Sequence, residues 1–354
     1  MIILFPTYAQ RIPDTRQWQV HIAGMVSKPL PEQSRRRVFA RAVLKRILRV
    51  QDAEIDTDLF RSRANAFFVQ RLAGHTIQLS LAGQSYDGGQ SDRSGHFQSN
   101  IILDDDTLHA FSETLPSGCR WLPYEGKTIP PKQSEQHGTP ESFTARGTIQ
   151  CINAEGLSVI SDIDDTVKIS DVGNRRALLA NTFLREFQAV PGMVNVFQHL
   201  QQSGAAFHYV SASPWQLSTS LYDFFSHAGL PAGSMHLKLF RLKDSTPLRK
   251  LPSRKRSKRR IIEQILADFP KRKFLFIGDS GERDPEVYTG VARRHPEQVH
   301  SVLIRKITTR TPSEKMNFRL ARLASKLPQG MLQTFTHTEE LHAHCKAVCQ
   351  EIQR

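Results

Sequence analysis

The segment LSVISDIDDTVK, residues 157–168, decides the fold. LSVIS reads as a short strand with no polar alternation, as a parallel sheet covered on both faces requires. It runs directly into Asp162, Asp164, Asp165 and Thr166. Carboxylates at that point lie outside the carboxyl end of a strand, which is where ligands bind in doubly wound sheets. Alone, a D-x-D-x-T cluster is also what a solvated loop or a capping turn looks like. A calcium loop of the EF-hand type needs glycine at its sixth position and glutamate at its twelfth, where this chain has Val167 and Gly173, so that reading fails.

Downstream the arrangement repeats. FHYVSASPW carries an apolar run into Ser211, with Pro214 suited to open a helix; a hydroxyl there can hold a phosphate oxygen, and a plain serine cap would look the same. FLFIGDSGERDPEVY ends a strand in Gly278 and Asp279, and Asp284 precedes a proline-opened helix. Between them SRKRSKRRIIEQILADFP begins a helix whose Ile261, Ile262, Ile265 and Leu266 face inward, with Lys258 one turn earlier. A lysine at a helix start is electrostatically unfavourable unless an anion offsets it. With VHSVLI and helices expected near 193–201 and 217–228, the alternation predicts βαβ units, a doubly wound parallel sheet.

Upstream of residue 115 the chain reads as short alternating segments, WQVHIAGMV and TIQLSLAG among them, separated by turn-rich stretches such as QSYDGGQSDRSG. This predicts a smaller β-rich domain over 1–115, interrupted by one amphipathic helix over 32–49 in which Val38, Ala42, Leu44, Ile47 and Leu48 recur at near-helical spacing. The proline- and glycine-rich stretch 116–146 reads as a linker, leaving 147–354 for the α/β domain. A closing helix is expected over 339–353.

The 354 residues with 39% apolar content can bury two cores. No apolar run is long enough to span a bilayer, and the first residues lack a basic flank for a secretory signal. Four cysteines form no disulfide framework, so a cytoplasmic protein is expected. Cys345 and Cys349, beside His342 and His344, could line a metal site on one helix face; packing of small apolar thiols explains them more simply. The net charge of +14 favours polyanionic partners without choosing among them.

The four elements, in this order and each at a strand or helix end, resemble the four motifs of the haloacid dehalogenase (HAD) superfamily of phosphohydrolases. SDIDDTVK, NTFLREFQAVPGM, YVSASPWQL and DFPKRKFLFIGDSGERDPEVY narrow the resemblance to the catalytic domain of the phosphatidate phosphatases typified by the fungal actin-patch protein, over about 157–307. SGHFQSNIIL, residues 94–103, is similar to the glycine-aromatic strand that ends that family's amino-terminal β-rich region.

The resemblance implies a Mg²⁺-dependent phosphatase in which Asp162 attacks phosphorus and forms an aspartyl-phosphate. Asp164 would be the general acid and base, with a raised pKa. Mg²⁺ would be held by Asp162, the backbone carbonyl of Asp164 and Asp279, with Lys258 sharing the neutralisation. Ser211 would bind a phosphoryl oxygen, Thr166 would steady the first loop, and Asp284 would act behind the metal and towards Lys258.

By the same resemblance the substrate is phosphatidate or another phosphomonoester, a phosphorylated lipid or small phosphate ester. Nucleic-acid ends, soluble esters and a catalytically silent lipid-binding module are the competing readings; retention of both Asp162 and Asp164 counts against the last. Residues 241–260 hold ten Lys or Arg against one acid, Asp244. Such a stretch can attract an anionic membrane surface peripherally, and a solvated loop that aids solubility accounts for it equally well. It lacks the interleaved aromatics of a nucleic-acid platform. Arg175 and Arg176 could reach a lipid head group or simply face solvent on a helix.

Overall fold

The computed structural model describes residues 1–114, 118–131, 141–238, 254–307 and 313–352. The chain divides into two compact units, one made of Met1–Gln51 with Ala64–Asn153, the other of Asp52–Arg63 with Ala154–Arg354.

The first unit is built on a ten-stranded, mostly antiparallel sheet. Its spine is the strand Gln17–Pro29, which buries Trp18, Val20 and Ile22 at a period of two. Strand His96–Asp104 pairs with it in continuous register from Gln17 opposite Asp104 to Met25 opposite His96. Gly24 lies opposite Phe97, and a Cβ there would sit 2.6 Å from the Phe97 ring, so only glycine lets the ring cover the strand. Ile77, Leu79, Leu122 and Ile149 complete the core.

Two expectations change here. The stretch 116–146 is more than a linker, since strand Arg120–Ile129 lies within it and Thr144–Ile152 starts in it; the two pair along their length and belong to this sheet. The boundary therefore falls near 153, not at 115 to 147. Segment Asp52–Arg63 also joins the second unit: the Arg63 guanidinium lies 3.8 Å over the Phe187 ring and donates to the Thr182 carbonyl at 3.1 Å.

In the second unit six strands form one parallel sheet, in the spatial order Ser234–Lys238, Ala206–Pro214, Leu157–Ser161, Lys273–Asp279, Val299–Arg305, Leu332–Phe335. Counted along the chain this is 3-2-1-4-5-6, the doubly wound order, whose direction of winding reverses between the first and fourth strands. All five residues of Leu157–Ser161 are buried, as are the last six of Lys273–Asp279. Helix Met193–Gln202 packs with Glu339–Ile352, and Arg254–Asp268, Asp284–Ala292 and Ser313–Ala324 pack in succession. The unit is therefore the α/β domain read from the motifs, with two further strands, Ser234–Lys238 and Leu332–Phe335, at its edges. No described helix is long and apolar enough to cross a membrane.

Candidate active site

The reversal of winding places two chain ends side by side. Asp162 follows strand Leu157–Ser161, and its N–H donates to the Ile277 carbonyl at 3.0 Å. Asp279 ends the neighbouring strand, and Asp284 opens the helix after it. Carboxylate oxygens of Asp162, Asp279 and Asp284 lie within 4.8 Å of one another, all three residues being buried. Gly278 makes the close approach possible, because a Cβ at this position would stand 2.6 Å from Asp284 Oδ2.

Three buried acids repel one another, and a fixed cation partly offsets this. Lys258 Nζ lies 2.9 Å from Asp162 Oδ1 and 2.6 Å from Asp284 Oδ1, with the Tyr288 ring centroid 5.5 Å away. Burial alone would lower the Lys258 pKa, but Asp162 and Asp284 outweigh it and keep the ammonium charged. Burial raises Asp162 well above the ordinary carboxylate range; Lys258 opposes the shift, and Asp284 and Asp279 add to it. Burial, with Asp284 and Glu282, pushes Asp279 up to about 8.

One oxygen on each acid, Oδ2 of Asp162, Asp279 and Asp284, is buried without a hydrogen-bond partner. An orphaned buried carboxylate oxygen is costly, and three buried carboxylates this close together make a donor set of the hard, anionic kind that divalent cations such as Mg²⁺ take. Asp284 thus stands among the candidate ligands, where the motifs had put it one layer back.

Asp164 sits in a different environment from the one its expected acid role demands. Its Oδ1 accepts from Ser170 Oγ at 2.6 Å and lies 2.8 Å from Lys168 Nζ; its Oδ2 accepts from Ser211 Oγ at 3.3 Å and from Ser213 Oγ. Burial would raise its pKa, yet the Lys168 charge and the bonds from Lys168, Ser170 and Ser213 prevail and hold it at about 2. The expectation of a raised pKa for Asp164 is corrected accordingly: this arrangement keeps it ionised.

Ser211 is therefore beside Asp164, while Thr166 is fully buried with its hydroxyl unpaired inside the turn that Val167 N and Lys168 N close onto the Ile163 carbonyl. Asp165 adopts a left-handed φ of 57°. Its carboxylate accepts from the amides of Ser170, Asp171 and Val172 at 2.7–2.9 Å, and Arg305 donates to its carbonyl at 2.8 Å. Lys168, Ser170, Ser213 and Arg305 were not singled out from sequence. For Ser213 a signal existed: two positions beyond Ser211 on one strand, it shares that residue's face.

Residues 241–253 of the basic stretch lie outside the described residues. Arg175 and Arg176 open helix Arg175–Phe183 and are exposed. Cys345 and Cys349 are buried at 1% and 6% exposure, and burial, with Cys349 adjacent, raises the Cys345 thiol to about 12. Both thiols pack in the interior as small apolar side chains do.

Residues 157–306 match the family model described as "Phosphatidate phosphatase APP1, catalytic domain". The chain is similar to Phosphatidate phosphatase APP1 of Saccharomyces cerevisiae, 33% identical over 211 residues covering 56% of this chain and 35% of that protein. It is 30% identical over 205 residues to an uncharacterized protein of Schizosaccharomyces pombe, covering 54% of this chain and 33% of the other. The chain thus matches about a third of the length of these curated relatives. Among solved structures, a protein described as a HAD-like phosphatase from Mesorhizobium loti aligns at 11% identity and a TM-score of 0.30, covering 50% of this chain and 90% of that one.

Proposed function

We propose that this chain, whose residues 157–306 match the catalytic-domain family of the APP1 phosphatidate phosphatases, is a Mg²⁺-dependent phosphomonoester hydrolase acting through a phosphorylated Asp162, with phosphatidate as substrate and diacylglycerol and phosphate as products. The observation that carries the reading is the set of three buried carboxylates around Lys258, with Asp162 at the switch point of the sheet.

Asp162, Asp279 and Asp284 would hold the cation, and a bound Mg²⁺ would supply charge neutralisation for the phosphate dianion. Lys258 fixes the Asp162 carboxylate and shares in that neutralisation. An oxygen of ionised Asp162 forms a bond to phosphorus as the bond from phosphorus to the glycerol oxygen breaks, and the departing alkoxide takes a proton from Asp164. Water then attacks phosphorus, gives its proton to Asp164 and frees Asp162. Ionised Asp164 suits the second step. The first needs it protonated, so the Lys168 contact must open in the substrate complex. Ser211 and Ser213, whose hydroxyls surround Asp164, would turn to a phosphoryl oxygen at that point.

The lipid specificity rests on the family match and the similarity to the yeast enzyme. Phosphate release should be compared on phosphatidate in mixed micelles, a 5′-phosphorylated oligonucleotide and a soluble phosphate monoester, each with Mg²⁺ and with chelator. Mg²⁺-dependent release fastest on phosphatidate is expected. Faster release from the oligonucleotide or the soluble ester would overturn the lipid assignment, and no release from any of the three would overturn the hydrolase.

A further inference from the structure

The helix Arg35–Leu48 of the first unit has a face that the core does not use. Its sequence, RRRVFARAVLKRIL, holds six Lys or Arg and no acid. The expected inward face is only partly right: Leu48 is buried and Leu44 and Ile47 half-buried, but Val38 and Ala42 face solvent. Phe39 is 71% exposed, Val38 58% and Val43 38%.

Positions 35, 38, 39, 42, 43 and 46 follow the spacing i, i+3, i+4, i+7, i+8, i+11, which is one stripe of a helix. Its middle is Val38, Phe39, Ala42 and Val43; Arg35 and Arg46 close its two ends, about 16 Å apart at 1.5 Å per residue. Arg41 and Lys45 lie beside it. The first turn carries arginines and no acid, the reverse of what the helix dipole favours; just before it, Glu32 pairs with Arg37 at 3.4 Å.

We propose that this stripe is a membrane-docking surface, with Phe39, Val38 and Val43 entering the head-group boundary of an anionic bilayer and the arginines meeting its phosphates. An apolar stripe ringed by cations and free of acids is the pattern of a helix that lies in the plane of an interface. Aliphatic valines gain little from stacking on bases, which favours a lipid surface over nucleic acid. The proposal stands apart from the catalytic reading, because it concerns binding to lipids that need not be substrates.

The test uses the full chain and vesicles of phosphatidylcholine alone or mixed with phosphatidylserine, neither of which is a phosphomonoester. Flotation should show binding to the anionic vesicles and little to the neutral ones. Phe39→Ser with Val43→Ser should weaken the partition coefficient about tenfold or more, whereas Phe318→Ser, at another exposed phenylalanine, should leave it unchanged. A Phe39→Trp variant should show a blue-shifted emission with anionic vesicles. Since all these positions are exposed, release of phosphate from a soluble ester should be the same in every variant. Unchanged vesicle binding in the double variant, no emission shift in Phe39→Trp, or binding to an oligonucleotide in preference to vesicles would each overturn the proposal.

Discussion

Lys258 Nζ stands 2.9 Å from Asp162 Oδ1, although the two residues are 96 positions apart. A helix that begins with a run of bases thus delivers one of them to the carboxylate that follows the first strand of the sheet. Asp162 is buried and Lys258 half-buried, so water screens the contact only partly, and it holds one carboxylate oxygen while leaving Oδ2 without a partner.

Replacing that cation tests its share in the chemistry. Lys258→Met should keep the fold, because the stem remains apolar, and should lower kcat by about a hundredfold to a thousandfold, as loss of one preorganised charge does. Steady-state phosphate release, with circular dichroism as the fold control, measures this; a kcat within about threefold of the unaltered protein would remove Lys258 from the site.

The acid cluster makes a pH-dependent prediction for metal binding. Asp279 is raised to about 8, and Asp162 is raised as well. Between about pH 4, where a carboxyl of the unfolded chain titrates, and about pH 8, the metal-free native state therefore binds more protons than the unfolded state, and its stability falls as pH rises. A bound Mg²⁺ would take the place of those protons. The Mg²⁺-induced rise in Tm should accordingly grow from about pH 6 to about pH 8. In Asp279→Asn, which retains an oxygen for the Gly281 and Glu282 amides, the rise should largely vanish. Thermal shift assays at two pH values would show it.

Much of this site was legible because a parallel strand writes itself as an unbroken apolar run and its catalytic edge as the polar residue that ends it. LSVIS before Asp162 and FLFIG before Asp279 both carry that mark, and the observed register sets these strands side by side. Lys168 carries no such mark. Its burial depends on Asp165 taking a left-handed φ and folding the loop back over Asp164, a tertiary outcome that spacing does not encode. The helix near residue 40 shows a related limit: periodicity located it, but two apolar stripes compete there and only contacts decide which faces the core. The strand Arg120–Ile129 was hidden by its proline and its glycine, although Leu122, Tyr124, Gly126 and Thr128 alternate into the interior.

Lys168 should set the ionisation of Asp164. In Lys168→Gln the buried carboxylate loses its cation, and burial, now less opposed, should raise its pKa from about 2. Asp164 has a depressed folded pKa, so the stability it contributes is present above the unfolded value near ~4 and lost as pH falls through about 2. The variant should be less stable at neutral pH by about 3 kcal/mol, with the difference shrinking on acidification. The acidic limb of its pH–rate profile for hydrolysis of the phosphorylated enzyme, the step that needs Asp164 ionised, should move to higher pH. Denaturant melts at several pH values and a pH–rate profile separate these effects; an unmoved limb would mean that Lys168 does not act on Asp164 during turnover.

Gly278→Ala tests the close packing behind the acids. A methyl group there would meet Asp284 Oδ2 and the Tyr288 ring at 2.6 and 2.7 Å, which displaces Asp284 and disturbs its contact with Lys258. A destabilisation of about 1–3 kcal/mol is expected, along with weaker Mg²⁺ binding by calorimetry. Unaltered Mg²⁺ affinity would indicate that Asp284 does not hold the ion.

The central claim is that Asp162 is the group that takes the phosphoryl. Incubation with phosphatidate labelled in its phosphate, followed by acid quench and peptide mass spectrometry, tests it directly. The peptide containing Asp162 should carry the phosphoryl group transiently, and Asp162→Asn, folded as judged by its melting curve, should neither carry it nor release phosphate above background. Release of phosphate by Asp162→Asn at the rate of the unaltered protein, or label found on a different residue, would contradict the account.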